Sequence, residues 1–188
     1  ARWVGFVTYP RSPRHISTDL LRTLGARVPG SVGRVGLFVD PDDALLDERL
    51  AAGTIDMLQL HGSETPARVA ELKVRTGKPV MKVIKVATSE DAERGIAAYA
   101  SVADRLMFEP AEGILPGGNG KAFDWTILRG LTIPLPWLLA GGLTPDNVAE
   151  AVRVAGAAAV DVSSGVESSR GVKSIELIRA FLDRVKAL

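Results

Sequence analysis

Asp161-Val162-Ser163-Ser164-Gly165-Val166-Glu167 is a short apolar run that stops in small residues, with a helical pattern downstream. A second stretch of the same build, Ala140-Gly141-Gly142-Leu143, lies one strand earlier. Small residues let a ligand approach the backbone, and the free N–H groups at the start of the next helix point at an anion. Two such turns on consecutive strands make the phosphate cradle that the last two loops of a (βα) barrel commonly provide. Gly141 and Gly142 could serve tight strand–helix packing alone. Their pairing with Ser163-Ser164-Gly165 favours phosphate contact, so the sequence predicts a sugar-phosphate ligand.

Working outward, aliphatic and β-branched runs alternate with amphipathic stretches along the whole chain. Strands are predicted over residues 3–8, 34–39, 57–60, 80–85, 105–109, 137–140 and 158–162. Helical patterns fall near residues 18–27, 41–52, 66–76, 90–99, 124–129, 144–154 and 173–187. Thr18 before Asp19, Thr65 before Pro66, and Thr144 before Pro145-Asp146 read as helix starts. The strands are continuous apolar runs, as expected when both faces of a parallel sheet are buried. No linker divides these βα units, so residues 1–188 read as one domain. A doubly wound sheet would give the same alternation. Polar groups at the strand ends favour the barrel: Ser12-Pro13-Arg14, Asp40, Gln59 with His61, Lys85, Glu109, Gly141-Gly142 and Ser163-Ser164. Neither the G-x-G-x-x-G fingerprint nor a P-loop lysine motif occurs, and Gly117-Gly118-Asn119-Gly120 does not match the former. The expected fold is α/β, a (βα)8 TIM barrel.

Composition narrows the chemistry. The chain has 188 residues, short of the about 250 typical of a complete eight-fold barrel. With 23 basic and 22 acidic residues its formal net charge is +1, so no overall field attracts nucleic acid or an anionic membrane. It contains no cysteine and two histidines, His15 and His61, which argues against a metal site. The apolar stretch 131–143 carries Pro134 and Pro136 and is too short to span a membrane. A cytoplasmic location is expected, with a small-molecule partner and a monomeric or homodimeric state.

In order, the chain shows Gly5-Phe6-Val7 leading to Ser12-Pro13-Arg14-His15, then Val35-Gly36-Leu37-Phe38-Val39 and Gln59-Leu60-His61-Gly62. Gly117-Gly118-Asn119-Gly120 with Phe123-Asp124-Trp125 follow, then Ala140-Gly141-Gly142-Leu143 with Pro145-Asp146-Asn147-Val148, and finally the 161–167 stretch. This series resembles phosphoribosylanthranilate isomerase of tryptophan biosynthesis over essentially the whole chain. The resemblance implies an Amadori rearrangement of an aminoaldose phosphate to an aminoketose phosphate, without a cofactor. A general acid opens the ribose ring, and a general base removes the C2′ proton. By resemblance Asp124 is the general acid, and Arg14 pairs with the anthranilate carboxylate, a task suited to its planar fork. Gln59 and His61 lie near substrate, while Gly142, Ser163, Ser164 and Gly165 hold the phosphate. In that family the base is a cysteine in a Lys-x-Cys-Gly first strand. Ala1-Arg2-Trp3 corresponds to the second strand, so the first βα unit is absent here and is expected upstream of Ala1.

Plainer readings stand beside these. Asp124 could cap the short helix that follows it, and His61 could hydrogen-bond at a strand end. Arg14 could be a surface ion-pair partner. Lys85 and Asp40 could be solvated charges. Trp3 and Trp137 read as core. A non-catalytic sugar-phosphate binder is the alternative function. Other phosphate-handling barrels, such as indole-glycerol-phosphate synthase, lack the Ser12-Pro13-Arg14 and Phe123-Asp124-Trp125 pattern.

Overall fold

Burial on both faces shapes the strands: all four residues of β3 (Met57–Leu60) are buried, as are six of the seven in β4 (Val80–Val86). The computed structural model describes residues 1–111 and 124–188. The glycine run at 117–120 and Phe123 therefore lie outside the described residues. Six strands, β1 (Trp3–Val7), β2 (Gly33–Phe38), β3, β4, β5 (Arg105–Pro110) and β6 (Trp137–Leu139), follow one another in sequence order in one sheet. Helices α1 (Thr18–Gly25), α2 (Asp43–Leu50), α3 (Pro66–Thr76), α4 (Ser89–Tyr99), α5 (Val148–Ala155) and α6 (Ile175–Lys186) alternate with them. A 3-10 turn, Trp125–Leu128, stands between β5 and β6. The chain divides into two compact units, residues 1–83 with 102–104, and residues 84–101 with 105–188.

In the first unit β1, β2 and β3 pair in parallel, with Gly5 beside Val35 and Leu37 beside Gln59, and Leu60 pairs in parallel with Lys82. Phe38, Leu58 and Leu60 from the strands and Leu21, Leu46 and Leu72 from the helices are at most 1% exposed. The helix starts are built by side-chain caps. Thr65 accepts from the Arg68 amide at 3.2 Å with Pro66 behind it, as expected, and α3 stops at Gly77 with φ 63°. The first helix is capped by Ser17 rather than marked by Thr18. The Thr18 hydroxyl is used elsewhere, accepting from Arg49 Nη1 at 2.7 Å. Trp3 and Trp137 are half-buried rather than core.

In the second unit β5 and β6 pair in parallel with Met107 beside Leu138. The rings of Phe108 and Trp137 meet edge to face, 5.6 Å between centroids. The predicted strand at 158–162 is reduced to one parallel bridge, Leu139 to Val160. Leu139 donates to the Ala159 carbonyl and accepts from the Asp161 amide, at 3.0 and 2.9 Å. Because β6 has only three residues, it offers 158–162 too short an edge for a longer ladder. The 144–154 helix also starts late, at Val148, because residues 144–147 are spent in a turn. Downstream a small antiparallel hairpin, β7 (Glu167–Ser169) and β8 (Val172–Lys173), takes up Lys173, so α6 begins at Ile175 behind its Ser174 cap and not at 173.

Gly95 lies inside α4, where alanine ordinarily stabilises a helix by about 1 kcal/mol. Here an added β-carbon would sit 2.4 Å from Ile84 Cγ2, a stiff β-branched side chain on β4. Gly95→Ala should therefore reverse the usual sign and destabilise by about 1–3 kcal/mol. A urea midpoint equal to or above that of the wild type would contradict this packing.

Candidate active site

In the first unit, the loop after β1 is a sequence of tight turns. Ser12 donates its amide to Tyr9, His15 to Ser12, and Ile16 to the Val7 carbonyl, all at 3.0–3.1 Å. The Ser12 hydroxyl accepts from the Arg14 amide at 3.1 Å, so the serine before Pro13 fixes the backbone that carries the arginine. Arg49 of α2 braces the same loop, donating to Thr18 Oγ1 at 2.7 Å and to the Ile16 carbonyl at 3.4 Å. Its Nη2 lies 3.2 Å from His15 Nε2. Burial first, then the Arg49 charge, holds the His15 imidazole below its ordinary pKa, while Glu48 pulls the other way.

Gln59 is buried in β3 at 7% exposure, and His61 is half-buried just beyond the strand, its amide donating to the Phe38 carbonyl at 2.8 Å. What holds the His61 loop is a pair that sequence reasoning missed. Lys82 Nζ donates to Glu64 Oε2 and the Gly62 carbonyl at 2.7 Å, and to the Leu60 carbonyl at 3.2 Å. Both side chains are at most 2% exposed. Glu64 Oε1 in turn accepts from the Asp40 and Gly62 amides at 2.9 and 3.2 Å. Asp40, which the sequence leaves open between a site group and a solvated charge, is exposed, takes φ 44° and accepts from the Ser63 amide at 2.7 Å. The signal was present: a lysine inside an apolar run is almost never fully buried unless paired. Lys85, the lysine singled out from the sequence, is exposed.

The second unit brings the two small-residue turns into contact. Gly141 and Gly142 take φ 87° and 65°, and a β-carbon on Gly141 would sit 2.1 Å from Pro110 Cδ. Asn147 ties the turn, donating from Nδ2 to the Gly142 carbonyl at 3.0 Å and accepting the Thr144 amide at 2.8 Å. Residues Ser164–Val166 form a single 3-10 turn. A β-carbon on Gly165 would fall 1.7 Å from the Leu143 carbonyl oxygen and 3.3 Å from Thr144 Cα. Glycine is thus demanded where the two turns touch. Ser163 and Ser164 are exposed beside it. Lys173 of β8 reaches Ser163, another residue the sequence did not flag.

Asp124 is exposed and caps the 3-10 turn, its Oδ1 accepting from Thr126 Oγ1 at 2.6 Å and the Thr126 amide at 2.9 Å. The Thr126 hydroxyl first, then the amide, holds this carboxyl below the usual carboxylate range. No group of three or more ionisable ligand residues among the described residues could hold a metal ion, and none of their helices is long and apolar enough to cross a membrane.

Fold and site together define a class: a parallel α/β protein of the (βα)-barrel kind, with small-residue turns in contact at the ends of β6 and the 158–162 segment. Residues 1–184 match the sequence family described as N-(5'-phosphoribosyl)anthranilate (PRA) isomerase. The chain belongs to that family. It is 55% identical to the N-(5'-phosphoribosyl)anthranilate isomerase of Paracoccus denitrificans, covering 100% of this chain and 88% of that protein. Against the isomerase of Paramagnetospirillum magneticum it is 54% identical, covering 97% and 86%. The solved phosphoribosyl anthranilate isomerase of Thermotoga maritima superposes with a TM-score of 0.86 at 32% identity, over 100% of this chain and 89% of that one. Another solved relative, at TM-score 0.83 and 30% identity over 100% and 89%, is in complex with reduced 1-(o-carboxyphenylamino)-1-deoxyribulose 5-phosphate.

Glu64→Leu should cost about 3–5 kcal/mol in urea unfolding, because it leaves a buried ammonium without its counter-charge. Adding Lys82→Met should recover most of that loss, and a double variant as unstable as the single one would contradict the pairing. Thr126→Val should raise the Asp124 carboxyl pKa only part of the way to its ordinary value, since the amide bond remains. Side-chain carboxyl titration by NMR reads the shift directly, and an unmoved value would remove Thr126 as its main cause.

Proposed function

We propose that the chain catalyses the cofactor-free Amadori rearrangement of N-(5-phosphoribosyl)anthranilate to 1-(2-carboxyphenylamino)-1-deoxyribulose 5-phosphate, as a cytoplasmic step of tryptophan biosynthesis. Family membership over residues 1–184 carries this reading. The relative that binds reduced 1-(o-carboxyphenylamino)-1-deoxyribulose 5-phosphate supports the identity of the ligand. No observation favours the alternative of a non-catalytic binder, since the named relatives are isomerases.

The phosphate rests on the turns containing Gly142 and Ser163-Ser164-Gly165. Arg14 meets the anthranilate carboxylate with two parallel N–H bonds, helped by a loop already fixed through Ser12. Gln59 and His61 contribute polar contacts to the substrate. Asp124 protonates the ribose ring oxygen, which breaks the C1′–O bond and leaves a Schiff base. A general base then takes the C2′ proton to give the enolamine, which gains a proton at C1′ as it relaxes to the ketone.

Thr126 favours the anionic form of Asp124, so the acid has to gain its proton as substrate binds. Covering the carboxyl with the substrate excludes water and disfavours charge, which raises the pKa toward the donating range. Asp124→Asn should lower kcat by about 10²–10⁴-fold while leaving affinity for the reduced product analogue within a few-fold of wild type. Near-normal turnover in that variant, followed by the fluorescence of the anthranilate adduct, would remove Asp124 from the chemistry.

A further inference from the structure

We propose that Lys173 is a positioning residue for the phosphate turn, holding Ser163 so that the amides after it are presented to the anion. The proposal rests on the phosphate reading of Ser163-Ser164-Gly165 given above. It adds a residue on a different element, the β7–β8 hairpin, and a reason for that hairpin.

An ammonium group has three donors. At Lys173 they meet three acceptors: the Ser163 carbonyl at 2.8 Å, Ser163 Oγ at 3.3 Å and Glu167 Oε1 at 2.9 Å. The group is thus occupied by the protein itself and acts through Ser163 rather than by gripping the ligand. Across a trans peptide the carbonyl and the following N–H point in opposite directions. Fastening the Ser163 carbonyl to Lys173 therefore turns the Ser164 amide away from the lysine. The same carbonyl also accepts from the Val166 amide at 3.4 Å, which ties the end of the 3-10 turn to the same point.

Glu167 sets the lysine in turn. Its side chain is only 4% exposed, and its second oxygen accepts from the Gly171 amide at 3.0 Å, inside the hairpin turn where Gly171 takes φ 86°. The Ser174 amide closes the strap onto the Val166 carbonyl at 2.9 Å. A continuous line of hydrogen bonds thus runs from the hairpin turn through Glu167 and Lys173 to Ser163.

The test uses calorimetry with two probes, reduced 1-(o-carboxyphenylamino)-1-deoxyribulose 5-phosphate and the same compound lacking its phosphate. Lys173→Met should weaken the phosphorylated probe by about tenfold, the size of one lost charge-assisted bond, and leave the other unchanged. Glu167→Gln separates positioning from mere charge, and carries the test should the lysine variant not fold. It removes a negative charge beside the anion, yet by releasing Lys173 it should weaken the phosphorylated probe. Tighter binding in Glu167→Gln, or an unchanged preference for the phosphorylated probe in Lys173→Met, would overturn the proposal. A wild-type protein that does not distinguish the two probes would instead overturn the phosphate reading on which it stands.

Discussion

No atom larger than hydrogen fits on the α-carbon of residue 165, because the Leu143 carbonyl oxygen occupies the space where a β-carbon would go. That contact binds the turn after β6 to the turn after 158–162 at backbone distance, and much of the second unit is arranged around it. Gly141 and Gly142 adopt left-handed conformations that bend the chain sharply off β6. Asn147 then holds the bend from both sides, which delays α5 to Val148. The hairpin of β7 and β8 secures the other turn through Lys173. Close backbone approach beside exposed serines suits the proposed phosphate, whose oxygens accept from N–H groups and tolerate no crowding by side chains.

The first unit reaches rigidity by a different route. Its strand-end loops carry more polar side chains, and they are anchored by ionised groups taken out of water. Burying Lys82 and Glu64 together carries a desolvation cost that a plain apolar pair would avoid. In return, five hydrogen bonds, to the Leu60 and Gly62 carbonyls, between the two side chains, and from the Asp40 and Gly62 amides, converge on one spot. The result fixes the backbone on either side of His61 and the turn at Asp40. Arg49 does the equivalent for the loop that bears Arg14. In both cases a residue not involved in substrate contact sets the geometry of one that is proposed to be.

How far the sequence discloses this depends on the range of each interaction. Apolar runs at 57–60 and 80–85 and the Thr65-Pro66 start are local signals, and the structure follows them closely. The strand predicted over 158–162 is present only as the bridge at Val160, because its pairing depends on the length of β6, which is set by other residues. The small-residue turns were legible because glycine answers a local constraint of space. Lys82 with Glu64, and Lys173 with Ser163, were not, since each joins residues on different elements and neither lysine stands in a motif. Thr126 escaped for another reason: its hydroxyl matters only once the 3-10 turn folds it back on Asp124.

Capping and the proposed proton donation make opposite demands on Asp124. A cap works best as an anion, because the amide and hydroxyl of Thr126 both donate to it, whereas an acid must hold a proton. The same bonds nevertheless suit the proposed acid role in one respect. They fix the carboxyl through a single oxygen, Oδ1, and leave Oδ2 outside this pairing. Proton uptake at Oδ2 can then proceed without breaking the cap, since the protonated group keeps an acceptor at Oδ1. An acid anchored in this way loses little orientation when it ionises and regains its proton in the same pose. Order in the carboxyl is thus compatible with a lowered resting pKa, provided the bound substrate supplies the desolvation that lifts it.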